Sequence, residues 1–230
     1  MVPRGGLTPP SRDGYDLEHV FEKLNSGSRR GRAAPTGPAS GRWATERRLA
    51  ILRAAAGAFR KHGLSSTGMR EIAEAAGLSP ANLYYYFGGK DELVFFCQDH
   101  ALDRLLAAAD AAWASRIPAR ERLRRLIAEQ VLCMLEELDG AVAHLEVDAL
   151  PDKLRRKVLR KRDRYEQAVR RIVTAGVRGG DFRPCDPALV TRAILGAVNW
   201  TARWYRPDGP QTPAQVAASF SDYLVRGLLP

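Results

Sequence analysis

Side chains able to act as nucleophiles, bases or metal ligands are few and scattered in this chain of 230 residues. His19, His62, His100 and His144 stand far apart, and so do Cys97, Cys133 and Cys185. Cys97 and His100 are one helical turn apart, but no third partner is evident beside them. His144, Glu146 and Asp148 alternate by two, which on a helix sends neighbours to opposite sides. Gly179-Gly180 separates helices rather than cradling a phosphate. These spacings point away from catalysis and from a metal or cofactor. An odd, irregular cysteine set also argues against a disulfide framework and for a reducing compartment. What remains is aromatic and cationic: Asn82 and Tyr84-Tyr85-Tyr86 ahead of Lys90, and eleven basic residues within 153–178 opposed only by Asp163 and Glu166. The net charge of +10 fits a polyanionic partner, whether nucleic acid, acidic membrane surface or phosphate-bearing ligand.

The elements that position these residues read as helices. Leu49, Leu52, Ala56 and Phe59 recur at three or four residues. So do Leu123, Leu126, Ile127, Val131, Met134 and Leu138, then Leu154, Val158, Tyr165, Val169 and Ile172. Leu189, Ala193, Ile194, Ala197 and Val198 form a further stripe, and Val216, Phe220, Tyr223, Leu224 and Leu228 the last. Strand alternation is absent, so the expected fold is all-α, with about nine helices. Residues 1–42, rich in Gly, Pro, Ser and Arg, read as a disordered basic arm with a short helix at Asp16–Leu24. Val2-Pro3-Arg4-Gly5 resembles a protease-site remnant. Arg29-Arg30-Gly31-Arg32 reads either as a solvated tail or as an arm for the DNA minor groove. No apolar run reaches the roughly 18 residues of a membrane span, and the start carries no secretory signal. The expected location is cytoplasmic, with no membrane partner.

The most informative stretch is His62–Leu93. Thr67 can cap a helix running to about Ala75, with Ile72 and Ala73 inward. Gly77 can take the left-handed conformation that ends it. Ser79 then caps a second helix, Pro80–Phe87, whose first position suits a proline. Leu83 and Phe87, four apart, anchor that helix, and Gly88-Gly89 ends it. Helix, four-residue turn, helix is the geometry that places its second helix in the DNA major groove.

Gly63, Thr67, Ile72-Ala73, Ala76-Gly77, Ser79, Leu83-Tyr84, Phe87, Lys90 and Leu93 resemble the spaced pattern of the TetR family of bacterial transcriptional regulators. The likeness covers roughly residues 45–95, with Phe59 at an inward place. It implies a homodimer binding double-stranded DNA, with a helix-turn-helix domain at 43–93 and an effector-binding and dimerisation domain at 94–230. It also implies phosphate contacts from Thr67 and Lys90 and a backbone contact from Tyr84. Ser79, Ala81, Asn82, Tyr85 and Tyr86 then occupy recognition positions. Asn82 could pair bidentately with an adenine, and Ala81 and the tyrosine rings could meet thymine methyls.

In the second half, Asn199-Trp200-Thr201-Ala202-Arg203-Trp204-Tyr205-Arg206-Pro207-Asp208-Gly209-Pro210 looks like a block found in a subset of TetR regulators that respond to acyl-CoA thioesters and control fatty-acid or steroid-ring breakdown. The implied effector residues are Asn199, Trp200, Arg203 and Trp204; the alternative is that both tryptophans are core or dimer-interface residues. Arg155, Lys161 and Arg162 flank the apolar stripe of their helix and could meet coenzyme A phosphates, or could belong to a solvated face. The expected function is a ligand-responsive regulator, a repressor released from a palindromic operator by a small effector. Another apolar effector, a small-molecule enzyme on a helical fold, or a non-specific DNA-packaging protein are the alternatives.

Overall fold

In a computed structural model of the chain, residues 38–63, 66–135 and 147–230 are described, with the side chains of 38–43, 55–57 and 59–61 outside that set. The expected helix at Asp16–Leu24, the Arg29–Arg32 run, Phe59, Leu138, His144 and Glu146 therefore lie outside the described residues. The elements are α1 (Pro38–His62), α2 (Met69–Ala75), α3 (Pro80–Tyr86), α4 (Lys90–Ala114), α5 (Ala119–Leu135), a 3-10 turn (Val147–Ala149), α6 (Asp152–Arg178), α7 (Pro187–Trp204) and α8 (Pro213–Arg226). No strand occurs among the described residues, and the fold is all-helical. Helix α1 begins at Pro38, inside the segment expected to be arm. Proline costs nothing at a first helical position, so it opens this helix rather than excluding it. The chain divides into two units, Met1–Trp43 and Ala44–Pro230, and everything that follows concerns the second.

Two apolar clusters hold that unit together. The first gathers Ile51 and Leu52 of α1, Ile72 and Ala73 of α2, Leu83 of α3, Phe87, and Leu93, Val94 and Cys97 of α4. Val147, Leu150 and Val158, from well beyond residue 93, complete it. The second gathers Ala101, Leu105 and Ala109 of α4 with residues of α5, the later turns of α6, α7 and α8. Helix α4 thus belongs to both: its first half seals the helix-turn-helix and its second half enters the larger core.

Most expected inward stripes face inward. Leu123, Leu126, Ile127, Val131 and Met134 are buried on α5, and Val158, Tyr165, Val169 and Ile172 on α6. The last two helices differ from expectation. On α7 the buried line is Thr191, Ile194, Val198 and Thr201, while Leu189 and Ala193 are exposed. On α8 Val216, Ala217, Ser221 and Val225 are buried, while Tyr223 is 79% exposed. Both helices have two apolar faces, and threonine or serine hydroxyls can turn inward by bonding their own helix, as Thr201 does to Val198 O at 2.7 Å.

Gly176 marks the tightest packing. A Cβ there would stand 2.2 Å from Phe182 Cδ2 and 3.1 Å from Ala119 Cβ. Phe182 is itself buried, and its N–H donates to Gly176 O at 3.1 Å. Beside it, Asp181 Oδ2 accepts the Ala119 N–H at 2.7 Å and so caps the start of α5. Gly176→Ala should therefore cost about 1–3 kcal/mol through overpacking, read as a lowered denaturation midpoint. An unchanged midpoint would show that the ring has room to move.

Candidate nucleic-acid interface

The turn between α2 and α3 is fixed by its own backbone. Gly77 takes φ +62°, the Gly77 N–H donates to Glu74 O at 3.0 Å, and the Leu78 N–H donates to Ala73 O at 2.8 Å. That paired closure needs a residue free to be left-handed, as the sequence signals. Ser79 Oγ accepts the Asn82 N–H at 3.2 Å, with Pro80 first in the helix. Leu83 and Phe87 are fully buried, so one side of α3 is fastened down. The opposite side is offered outward: Ser79, Ala81 and Asn82 are exposed, Tyr84 is 53% exposed and Tyr85 74%. Tyr86 is half-buried and meets Tyr85 edge to face at 5.2 Å. Two exposed aromatic rings and an amide on one short helix match a major-groove reader in size and chemistry, while Tyr86 packs against the cluster beneath.

Thr67 departs from both expectations. It does not cap α2; Gly68 does, with Glu71 Oε2 accepting the Gly68 N–H at 2.7 Å. Nor does its hydroxyl face outward. Thr67 is fully buried, and Oγ1 donates to Gly63 O at 2.7 Å, tying off the turn after α1. A hydroxyl satisfied inside the protein cannot meet a phosphate without breaking that bond. Lys90, half-buried, is the first residue of α4, directly after the Gly88-Gly89 exit from α3. Lys90→Ala should weaken binding to every DNA sequence alike and lower the salt slope by about one unit for each protomer bound. An unaltered slope would remove Lys90 from the phosphate contacts.

A clamp that the sequence does not disclose joins α1 to the end of α3 and the start of α4. The Arg48 guanidinium lies 4.5 Å from the Phe87 ring centre and 4.4 Å from that of Phe96. Its Nη2 pairs with Glu92 Oε1 at 2.5 Å, and Glu92 Oε2 accepts the Gly88 N–H at 2.8 Å. One arginine of α1 thus holds the residues that end α3 and those that begin α4. Arg48 and Glu92 are 44 residues apart, and no local pattern joins them.

The residues expected to bind an effector are spread over two places. On α6, Arg155 pairs with the exposed Asp148 at 3.0 Å. Lys161 reaches both Asp99 at 2.5 Å and Asp103 at 2.6 Å. Burial opposes the Lys161 charge, but the hydrogen bonds and attraction of the two aspartates outweigh it and raise its pKa. Arg162 donates to Gln98 Oε1 at 3.3 Å, and burial lowers its pKa despite Asp148. Lys161 and Arg162 therefore stitch α6 to the middle of α4. On α7, Trp200 is 64% exposed and Trp204 leans on Phe220 at 5.8 Å. The Arg203 guanidinium lies 6.0 Å from the Trp200 ring centre. Asn199 is exposed, but its Oδ1 accepts from Gln130 Nε2 at 3.0 Å, and Gln130 Oε1 accepts the Tyr165 hydroxyl at 3.2 Å. Tyr165 and Gln130 are buried in apolar surroundings, so this chain leads from the core to the tryptophan face. Neither residue carries a signal in the sequence that marks it as part of a site. Tyr165→Phe should cost about 1 kcal/mol by leaving half of the Gln130 amide unpaired.

Cys97 and His100, the pair one helical turn apart, have other surroundings. Cys97 is buried, which pushes its thiol up to about 12, far from a reactive thiolate. His100 stacks on Phe96 at 6.1 Å. Among the described residues no three His, Cys, Asp or Glu side chains gather as metal ligands.

A short helix pinned on one side and open on the other, on a larger helical body, defines a helix-turn-helix DNA-binding protein. Residues 51–95 match the domain described as "Bacterial regulatory proteins, tetR family", and 116–228 match "Tetracyclin repressor-like, C-terminal domain". The repressor KstR2 of Mycobacterium tuberculosis is 31% identical over 191 residues, covering 79% of this chain and 92% of KstR2. PfmR from Thermus thermophilus, a TetR-family regulator, is 37% identical with TM-score 0.70, covering 78% of this chain and 99% of PfmR. The apo structure of AibR is 25% identical with TM-score 0.65, covering 80% and 98% of the two chains. The chain belongs to the TetR family, and it is a DNA-binding transcriptional regulator rather than an enzyme. None of the described helices is long and apolar enough to cross a membrane.

Proposed function

We propose that the protein is a homodimeric repressor, released from a palindromic operator when it binds an acyl coenzyme A thioester. Residues 43–93 read the DNA, and residues 94–230 bind the effector and dimerise. The observation that carries the effector reading is Asn199, with Arg203 and Trp204 on the same helix end, joined to the buried Gln130–Tyr165 pair. Its surroundings combine an apolar core beneath with aromatic and cationic groups outside. Two relatives lend support: KstR2 is described as a ketosteroid transcriptional regulator, and AibR has also been solved with isovaleryl coenzyme A and operator DNA. Arg155 is the freest of the α6 cations named for phosphate, because its ion pair with an exposed aspartate is weak. Arg155→Ala should then weaken acyl-CoA binding, and unaltered affinity would remove Arg155 from the site.

The second copy is expected on α7 and α8. Leu189, Ala193, Gly196 and Trp200 form an exposed line on one, and Tyr223 stands out from the other. Release follows if the effector binds better to a spacing of the two α3 helices that misfits the operator. Helix α4 spans both apolar clusters and is tied to α6 by Lys161 and Arg162, so displacing α6 displaces the end of α3.

A thermal-shift screen tests the effector class. An acyl-CoA at one hundred times its Kd should stabilise the protein by about 2.7 kcal/mol, while free coenzyme A and free acids should do far less. A shift from an unrelated apolar compound alone would move the assignment to another effector.

A further inference from the structure

Helix α6 carries cations that the effector reading does not use. Lys153, Arg160, Arg164, Arg171 and Arg178 fall on one line of the helix, with Arg156 and Lys157 beside it, and all seven are exposed. None of them has an ion pair among the described residues, and Asp152 and Asp163 lie off that line. The line runs about 37 Å. Its two ends differ in surroundings. The first two turns bury Val158 and part of Leu154 in the cluster that holds α3. There the Lys157 ammonium lies 5.6 Å from the Phe95 ring centre. Phe95 is five residues beyond Lys90 on α4, about 7.5 Å along the axis. The far end, with Arg171 stacked on Trp113 at 4.0 Å, packs on the other cluster.

We propose that Lys153, Arg156 and Arg160 form a second DNA contact, gripping backbone phosphates outside the base pairs that α3 reads. A row of unpaired cations fastened to the reading unit suits a phosphate strand, which offers a charge at every step and asks for no base-specific geometry. The contact would widen the footprint and add affinity without changing sequence preference.

The test compares two full-length variants with equal charge loss. One is Lys153→Gln/Arg156→Gln/Arg160→Gln, and the other is Arg164→Gln/Arg171→Gln/Arg178→Gln. Each is titrated against a selected operator with long flanks over a range of salt. The near triple should lower the salt slope by about 1.8 or more, one phosphate per protomer at about 0.9 each. It should also erase phosphate-ethylation interference in the flanks, and the far triple should do neither. Circular dichroism checks folding; if the near triple is misfolded, Arg160→Gln alone should give a smaller slope change of the same sign. Equal slopes in all proteins, or equal losses in both triples, would overturn the proposal. So would binding to phosphatidylglycerol vesicles that only the near triple loses while its DNA slope stays intact.

Discussion

Phe87→Ala is expected to lower the unfolding free energy by about 3–5 kcal/mol and to abolish operator binding. Phe87 is fully buried in the cluster shared by α1 to α4, with the Arg48 guanidinium against its ring and Phe96 at 5.7 Å. Truncation removes the transfer energy of the ring and leaves a cavity between helices that cannot close fully. It also deprives Arg48 of one stacking surface, which loosens its grip on Glu92 and hence on Gly88. Urea unfolding and an operator titration on the same sample measure both effects. Tyr85→Ala is the contrast: Tyr85 is 74% exposed, so stability should stay within about 0.5 kcal/mol while operator affinity falls. A Phe87→Ala protein as stable as the parent would mean that α3 is held by something other than this cluster.

Trp200→Arg should turn the proposed dimer into a monomer at micromolar concentration. Trp200 is 64% exposed beside Ala193 and Gly196, whose small side chains let a second helix come close. Tryptophan anchors at an interface centre cost about 2 kcal/mol or more when removed. In a two-fold interface each residue counts twice, so the loss is about 4 kcal/mol, roughly a thousandfold in dissociation constant. The inserted arginines would also face each other. Sedimentation equilibrium reads the mass, and operator affinity should fall with it, because half-sites one DNA turn apart need two linked readers. A dimer of unchanged strength would place the interface elsewhere and leave Trp200 to the effector.

The local signals are legible because they are local. Gly77, Ser79, Pro80, Leu83 and Phe87 act within one turn of themselves, and the structure places each as its chemistry requires. Thr67 misleads because a threonine before a helix caps it in one rotamer and bonds the preceding turn in another, and only packing selects between them. Lys161 and Arg162 read as phosphate ligands because their partners on α4 lie about sixty residues away in sequence. On α7 and α8 apolar residues occupy two faces, so periodicity alone cannot say which face meets the protein's own core. The Arg48 clamp and the Tyr165–Gln130–Asn199 chain need three elements to meet, and no spacing announces that. The +10 charge, which by itself fits any polyanionic partner, sits only partly on the reading unit, where 43–93 hold seven basic and five acidic residues. The larger share lies on α6.

Fluorescence anisotropy of a labelled operator, titrated with protein in the presence of acyl-CoA thioesters, free coenzyme A and the matching free acids, tests the repressor reading most directly. At least one acyl-CoA should weaken operator binding tenfold or more, a coupling of about 1.4 kcal/mol, while coenzyme A and the acid alone leave it intact. By linkage, operator DNA should weaken binding of that acyl-CoA by the same factor. An operator complex indifferent to every acyl-CoA that binds the protein would contradict release by this class of effector.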